Sequence, residues 1–168
     1  MIVLGIDPGF GRMGFGCVSV GRGKTHVLDY GVATTNKNEP HAKRLLQISD
    51  DTDELIKTHK PDLVAVEKLY FSKNVKTAMQ VAEARGVILA AAARRGVKIV
   101  ELTPGQVKMA VTGSGSADKK GVIMMVTKLL GLKKAPKLDD AADALALALT
   151  ASSMRSFPKL SRPRQFPK

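Results

Sequence analysis

The first hundred residues alternate between short apolar runs and helical patterns, in an order that few folds allow. Three strand-like segments come first, joined by Gly-rich turns so short that they imply antiparallel hairpins. A helix, a strand, a second helix and a fifth strand follow, and each crossover helix makes the next strand parallel to its predecessor. The predicted strands are Ile2 to Asp7, Gly14 to Val20, His26 to Thr34, Asp62 to Glu67 and Val97 to Leu102. We therefore expect an α/β fold with a five-stranded mixed sheet flanked by α-helices.

Apolar residues recur at helical spacing in the rest of the chain. The buried stripe that we expect on the second helix comprises Val75, Ala78, Met79, Ala82, Gly86, Leu89, Ala90 and Ala93. The predicted helices are His41 to His59, a stripe from Val75 to Ala93, Pro104 to Thr112, Ala117 to Leu130 and Asp140 to Ser153. The last three follow the fifth strand, so helices dominate the C-terminal part of the chain.

The length and composition predict one folded domain with a basic tail. A chain of 168 residues that is 44% hydrophobic can bury a core without disulfides or metals. We assign residues 1–153 to this domain. Residues 154–168 contain five basic residues, three prolines and no acid, a composition typical of a disordered tail.

The charge of the chain points to a polyanionic partner. The formal net charge is +12, and removal of the five charges of the tail still leaves +7. Such a field attracts phosphate backbones, so nucleic acid is the leading candidate. Cys17 is the only cysteine and the three histidines are scattered, which argues against disulfides and zinc sites. No apolar run is long enough to cross a bilayer, so we expect a cytoplasmic protein.

Four carboxylates occur where strands end or on an apolar helix. Asp7 and Glu67 each end a strand, and they converge if these strands are parallel neighbours. Asp140 and Asp143 are three residues apart on a helix, which puts them on one face about 5–6 Å from each other. Four such charges in one pocket oppose each other's ionisation, and Mg²⁺ or Mn²⁺ would relieve the conflict. Two such ions are typical of enzymes that cut phosphodiester bonds, so the pattern predicts a nuclease.

Each acid also has a simpler interpretation. Asp7 with Pro8 and Gly9 could form only a turn, and Glu67 could be the first solvated residue after its strand. Asp139 or Asp140 could be a helix N-cap, and a shift of one residue would let Asp139 replace Asp140 as a ligand. The acids of the first helix, from Asp50 to Glu54, are interpreted as a solvated face.

Six sequence blocks resemble the RuvC-type Holliday-junction resolvases of bacteria, which share the ribonuclease H-like fold. The blocks are LGIDPG, AVEKLYFSKN, AEARGV, GQVK, GSGSADK and DDAADALALA, in that order. The resemblance extends to about Ser153. The catalytic acids of the family match Asp7, Glu67, Asp140 and Asp143, the same four residues that the chemical argument selects.

The resemblance implies a homodimer that binds a four-way DNA junction and nicks two opposed strands symmetrically. It also implies Mg²⁺, for which Mn²⁺ could substitute, with two ions per subunit, and a functional link to the branch-migration proteins RuvA and RuvB. A twofold dimer suits this reaction because it presents two equivalent sites to two equivalent strands.

Five further residues are candidates for DNA contact. The family places an aromatic residue, usually Phe, soon after the catalytic Glu, where it stacks at the junction centre. Here Tyr70 takes that position and Phe71 follows, so either could be the wedge, and Phe71 could instead anchor the loop to the core. Lys108 and Lys119 match family lysines near the scissile phosphate. Lys73 in the AVEKLYFSKN block is the fifth candidate.

Two other functional classes share parts of this pattern. Actin-like ATPases and sugar kinases also open with a strand, Asp-Pro-Gly and a glycine-bearing hairpin, but they need two such domains. A ribonuclease H-like nuclease acting on RNA would keep both the fold and the four acids.

Overall fold

The computed structural model describes residues 1–21, 23–69 and 75–154. Its strands are β1 (Ile2–Asp7), β2 (Arg12–Gly21), β3 (Lys24–Thr34), β4 (Leu63–Glu67) and β5 (Lys98–Leu102). They form one sheet in the order β3-β2-β1-β4-β5. β1, β4 and β5 run parallel, whereas β2 is antiparallel to both of its neighbours. The predicted five-stranded mixed sheet is confirmed.

Helices cover both faces of the sheet. They are α1 (His41–His59), α2 (Val75–Arg94), α3 (Pro104–Thr112), α4 (Lys119–Leu129) and α5 (Asp139–Ser152). One core cluster lies between the sheet and the pair α1 and α2, and the other lies between the sheet and α3, α4 and α5. The chain thus forms three layers with the sheet in the middle.

The alternation of side chains along β1 and β4 determines which layer each residue faces. Val3 and Leu63 belong to the core cluster under α5, whereas Leu4 and Val64 belong to the cluster under α1 and α2. Residues at odd positions of both strands therefore face α5. Because Asp7 and Glu67 are odd-numbered, this alternation places both carboxylates on the α5 face.

α5 lies unusually close to the sheet because glycines replace side chains beneath it. A Cβ atom added to Gly5 would lie 2.0 Å from the carbonyl oxygen of Ala144, and one added to Gly14 would lie 2.0 Å from that of Asp140. A Cβ on Gly16 would lie 2.8 Å from the backbone nitrogen of Leu145. Any side chain at these positions would push the helix away from β1 and β2.

The predicted face of α2 is partly wrong. Ala78, Ala82 and Leu89 are partly buried as expected. Met79, Gly86, Ala90 and Ala93 are exposed, and Ala84, Ile88, Ala91 and Ala92 are buried instead. Alanine and other apolar residues occur around most of this helix, so the spacing of apolar residues alone does not select one face.

Several boundaries also differ by one or two residues from the sequence prediction, and the starts of β2 and α4 show why. β2 begins at Arg12 rather than Gly14, because the hairpin pairing with β3 continues to the Arg12 and Thr34 pair. α4 begins at Lys119 rather than Ala117, because the Asp118 carboxylate accepts a hydrogen bond from Gly121 N at 2.8 Å and caps the helix. The predicted tail falls outside the described residues from Arg155 onward. No helix in the described ranges is long and apolar enough to cross a membrane.

The close contact between α5 and the sheet predicts a steep penalty for Gly5→Ala. Overpacking of a well-packed core costs about 1–3 kcal/mol, and the contacted atoms here belong to backbone that cannot rotate away. We expect urea denaturation to show that Gly5→Ala lowers the free energy of unfolding by about 3 kcal/mol or more.

Gly86→Ala is the matched control, since a Cβ at Gly86 meets no atom within 4 Å. The same substitution in an exposed helical position should stabilise the protein by about 0.5–1 kcal/mol. Equal effects of the two substitutions would contradict the packing argument.

Candidate active site

Asp7 and Glu67 lie side by side at one edge of the sheet. β1 and β4 are parallel neighbours, and Ile6 and Val66 are the last paired residues of their register. The next residue on each strand is the acid. Both side chains are partly buried, so the structure does not support the interpretation of Glu67 as a fully solvated residue.

The first turn of α5 places the other two acids over this edge. Gly14, the partner of Asp7 on β2, contacts the backbone of Asp140. Leu138 is the N-cap residue, and no side chain caps the helix, so neither Asp139 nor Asp140 has the N-cap role. The Asp140 side chain is 23% exposed and that of Asp139 is 57% exposed. Asp140 is therefore the more enclosed of the two.

Two basic side chains neutralise the helix acids. Arg12 Nε lies 3.3 Å from Asp140 Oδ2. Lys119 Nζ lies 3.2 Å from Asp139 Oδ2 and 3.4 Å from Asp143 Oδ2. The Asp118 cap puts Lys119 at the first position of α4, from which it reaches α5. The four acids and these two cations form one charged cluster.

Burial and mutual repulsion raise the pKa values of three of these acids. Desolvation, with the charges of Glu67, Asp143 and Asp140, raises the pKa of Asp7 from 3.8 to about 8. Desolvation and the Asp143 charge raise the pKa of Glu67, against the opposing effect of Lys119. Desolvation is also the main cause that raises the pKa of Asp143. The cluster therefore holds more negative charge than Arg12 and Lys119 can stabilise.

The donor set of the cluster fits a hard divalent cation, although its geometry is not that of a preformed metal site. Asp140 Oδ2 is buried, and its contact with Arg12 Nε at 3.3 Å is an ion pair without the geometry of a hydrogen bond. Carboxylate oxygens are the ligands that Mg²⁺ prefers. However, no group of three or more potential ligand side chains in the described ranges is arranged closely enough to hold an ion. Metal binding would require Asp140 and Asp143 to turn away from Arg12 and Lys119.

A cleft of about 210 Å³ opens beside the acids. Its walls include Glu67 and Asp143 together with Lys108 and Lys119. Lys108 lies on α3, whose start is fixed by a capping box between Thr103 and Gln106. Both lysines that were predicted to lie near a phosphate therefore face the cleft that contains the acids.

The structure adds one basic residue that the sequence analysis did not select. Arg12 precedes the second strand as predicted from Gly14, yet it lies on β2 and pairs with Asp140. Arg12 lies two residues before Gly14, which contacts α5, so strand alternation would have placed the Arg12 side chain on the α5 face. The predicted DNA contacts Tyr70, Phe71 and Lys73 lie outside the described residues.

Comparison with known proteins agrees with this arrangement. The family model of the crossover junction endodeoxyribonuclease RuvC matches residues 3–151. The chain belongs to the RuvC family. A crossover junction endodeoxyribonuclease RuvC from Petrotoga mobilis is 50% identical over 155 residues, which are 92% of this chain and 95% of that protein.

Two solved RuvC structures from Thermus thermophilus share the fold. One is a RuvC structure with a TM-score of 0.83, and the other shows RuvC in complex with a Holliday junction substrate, with a TM-score of 0.85. Each is 40% identical to this chain, and each alignment covers 90% of this chain and 93% of the other. The predicted ribonuclease H-like resolvase fold and the RuvC resemblance are confirmed.

The raised pKa of Asp7 predicts that metal-free protein loses stability as pH rises. Between pH 3.8 and about pH 8, Asp7 in the folded state retains a proton that it has lost in the unfolded state. The free energy of unfolding therefore falls as the pH rises across this window. Asp7→Asn removes the ionisable group. In EDTA at pH 7.5, we expect this variant to be more stable than wild type by roughly 2 kcal/mol or more in urea denaturation.

At a pH near 4 the two proteins should differ little, because Asp7 is then protonated in the folded state. Asp50→Asn, at an exposed position of α1, serves as the control and should leave the pH profile unchanged. Parallel pH profiles for wild type and Asp7→Asn would contradict the assignment.

Proposed function

We propose that this protein is a structure-selective endonuclease that resolves four-way DNA junctions by paired symmetric nicks. The observation that carries the proposal is the cluster of Asp7, Glu67, Asp140 and Asp143 beside a cleft that Lys108 and Lys119 also line. The chain's membership of the RuvC family, and its 40% identity to a RuvC in complex with a Holliday junction substrate, support a four-way junction as the substrate. The role belongs to homologous recombination and DNA repair.

We further propose that the four acids hold two Mg²⁺ ions, for which Mn²⁺ could substitute. The buried Asp140 oxygen, whose contact with Arg12 is an ion pair rather than a hydrogen bond, and the raised pKa values of Asp7, Glu67 and Asp143 support this proposal. When bound, two such ions would activate a water molecule for attack and stabilise the departing 3′-oxygen.

The chain's own residues would bind and orient the DNA strand. Lys108 and Lys119 line the cleft and would fix the scissile phosphate as point charges. Lys119 would then exchange its contacts with Asp139 and Asp143 for the phosphate, which frees Asp143. Arg12 is 58% exposed and would exchange Asp140 for a phosphate in the same way. Substrate binding and the release of the two helix acids would thus be coupled.

The assembly that we propose is a homodimer. A single site can cut one strand at a time, whereas a twofold dimer presents two sites to the two equivalent strands of a junction. Tyr70, Phe71 and Lys73 remain our candidates for contact with the junction centre. RuvA and RuvB are proposed partners on the basis of the family resemblance. The single cysteine, buried as a free thiol, supports a cytoplasmic location.

The two alternative functions are not favoured. An actin-like ATPase needs two domains of this fold, whereas the RuvC family model alone covers residues 3–151. A ribonuclease H-like nuclease acting on RNA shares the four acids, so the choice between RNA and DNA rests on the family membership and requires a direct assay.

The proposal predicts Mg²⁺-dependent cleavage of a synthetic four-way junction, with nicks that ligase can seal. Linear duplex and an RNA–DNA hybrid, tested in parallel, should remain intact. Asp7→Asn and Asp140→Asn should each reduce the rate by more than about a hundredfold while junction binding is retained. Loss of a partner that merely orients a metal ligand already costs about 10- to 100-fold, and loss of a ligand should cost more.

Asp50→Asn on α1 is the matched control and should cut at the wild-type rate. If only the RNA–DNA hybrid were cut, the result would indicate a nuclease that acts on RNA. Full activity of Asp7→Asn would exclude the four-acid site.

The ion pair between Arg12 and Asp140 predicts that Arg12 competes with the metal. Arg12→Ala removes a positive charge that must leave Asp140 before an ion binds. Since a partly exposed ion pair contributes about 0.2–1 kcal/mol, isothermal titration with Mn²⁺ should show binding tighter by roughly two- to fivefold.

Lys24→Ala makes the same change in net charge at the other end of the β2 and β3 hairpin, and it should leave Mn²⁺ affinity unchanged. Weaker Mn²⁺ binding by Arg12→Ala would mean that Arg12 orients Asp140 for the metal instead of competing with it.

A further inference from the structure

Two connected apolar grooves lie on the α5 side of the sheet. One, of about 600 Å³, lies between β3 and the loop that joins α4 to α5, and the other, of about 680 Å³, follows α4. Leu132 and Ala135 line both, so the two grooves form one continuous surface. We call this combined surface the lysine groove. Its apolar side chains include Met124, Leu138 and Tyr30, which are 64%, 44% and 38% exposed.

The charged residues that line the lysine groove are all basic, and we call them its rim. Its lysines are Lys120, Lys128, Lys133, Lys134 and Lys137, and none of the described residues that line it is acidic. None of these five lysines forms an ion pair with a described residue. An apolar floor with an unneutralised positive rim complements a ligand that has flat apolar groups and many negative charges.

The groove begins next to the acid cluster. Val32 pairs with Gly14, and Gly14 pairs with Asp7, so the Val32 wall is two strand spacings from Asp7, or about 10 Å. Leu138 and Ala141 line the groove and flank Asp140 in sequence. Along one stacked strand a nucleotide advances about 3.4 Å, so this separation corresponds to roughly three nucleotides.

We propose that the lysine groove binds unpaired nucleotides of the cleaved strand, close to the scissile phosphate. The inference rests on the proposed function and adds a second subsite to it. Bases lie on the apolar floor, where Tyr30 and Leu138 supply stacking and van der Waals contact. The phosphates between these bases are bound by the rim lysines, with Lys134 and Lys137 nearest in sequence to Leu138. The subsite holds an unpaired strand open beside the acids.

Position favours a nucleic acid over an acidic peptide. Either ligand would satisfy the lysines. However, a DNA strand whose scissile phosphate lies in the cleft beside Glu67 and Asp143 already has its neighbouring nucleotides within reach of the lysine groove. A peptide would have to be supplied by an additional partner. The proposal therefore commits to DNA, and binding of an acidic peptide is one outcome that would contradict it.

A double-mutant cycle between protein and DNA tests the subsite. Junctions carry a single abasic nucleotide at each of the four positions on either side of the scissile phosphate, which removes a base and keeps its phosphate. Dissociation constants are measured in EDTA, so that binding is scored without cleavage. Tyr30→Ala and Leu138→Ala are compared with wild type, and Leu46→Ala, at a 60% exposed position on α1, is the control.

We expect Tyr30→Ala to weaken binding of the intact junction by about tenfold, which is within the range for loss of one stacked base. Tyr30→Phe should retain wild-type affinity because it keeps the ring. With an abasic nucleotide at one or two positions on one side of the scissile phosphate, wild type should also lose about tenfold in junction affinity. The affinity of Tyr30→Ala should not fall further on these abasic junctions. Lys134→Ala should lower the slope of log affinity against log salt by about one.

The subsite would be overturned if the affinity losses from Tyr30→Ala and from an abasic nucleotide were additive. It would also be overturned if no abasic position changed the affinity of wild type. If wild type still cuts the intact junction, the proposed function survives that result. Failure of wild type to prefer the junction over duplex would overturn both proposals. Affinity for an acidic peptide that Tyr30→Ala abolishes, together with a flat abasic scan, would identify the groove as a protein-docking surface.

Discussion

The contact between α5 and the glycines of β1 and β2 is the constraint on which the rest of the site depends. Gly5 and Gly14 let helix backbone lie where a Cβ would otherwise be, so the helix axis is fixed relative to the sheet. The alanines of α5 have the same effect from the helix side, and nearly every residue from Ala141 to Ala151 is buried. Because α5 cannot be lifted, Asp140 and Asp143 are held over the strand ends that carry Asp7 and Glu67.

This rigid frame has an electrostatic consequence. Four carboxylates are fixed in a partly buried space, and Asp7 responds with a pKa of about 8. Arg12 and Lys119 offset part of the charge, but both are more than half exposed and lie at the ends of their elements. The acids are thus held by the core, whereas their counter-charges are free to move. Such a site stores unfavourable charge that a divalent cation would relieve, and its basic side chains are positioned to contact a phosphate instead.

Much of this arrangement could be predicted from sequence because it depends on local patterns. Strand alternation and the short hairpin turns predicted the mixed sheet, and the strand-end position of Asp7 and Glu67 follows from parallel pairing. The buried face of α2 could not be predicted, since an alanine-rich helix lacks a single apolar stripe. The Arg12 pairing and the apolar floor of the lysine groove escaped prediction for another reason. Both depend on how distant segments meet in space, and the contact between Gly14 and Asp140 has no sequence periodicity.

We propose that the helix acids and the strand acids form one metal site once their counter-charges are released. Anomalous diffraction from crystals grown with Mn²⁺ tests this directly. We expect Mn²⁺ peaks between Asp7, Glu67, Asp140 and Asp143, with Arg12 and Lys119 turned away from the carboxylates. Crystals in which Mn²⁺ is absent from this cluster, while Arg12 still contacts Asp140 and Lys119 still contacts Asp143, would contradict it.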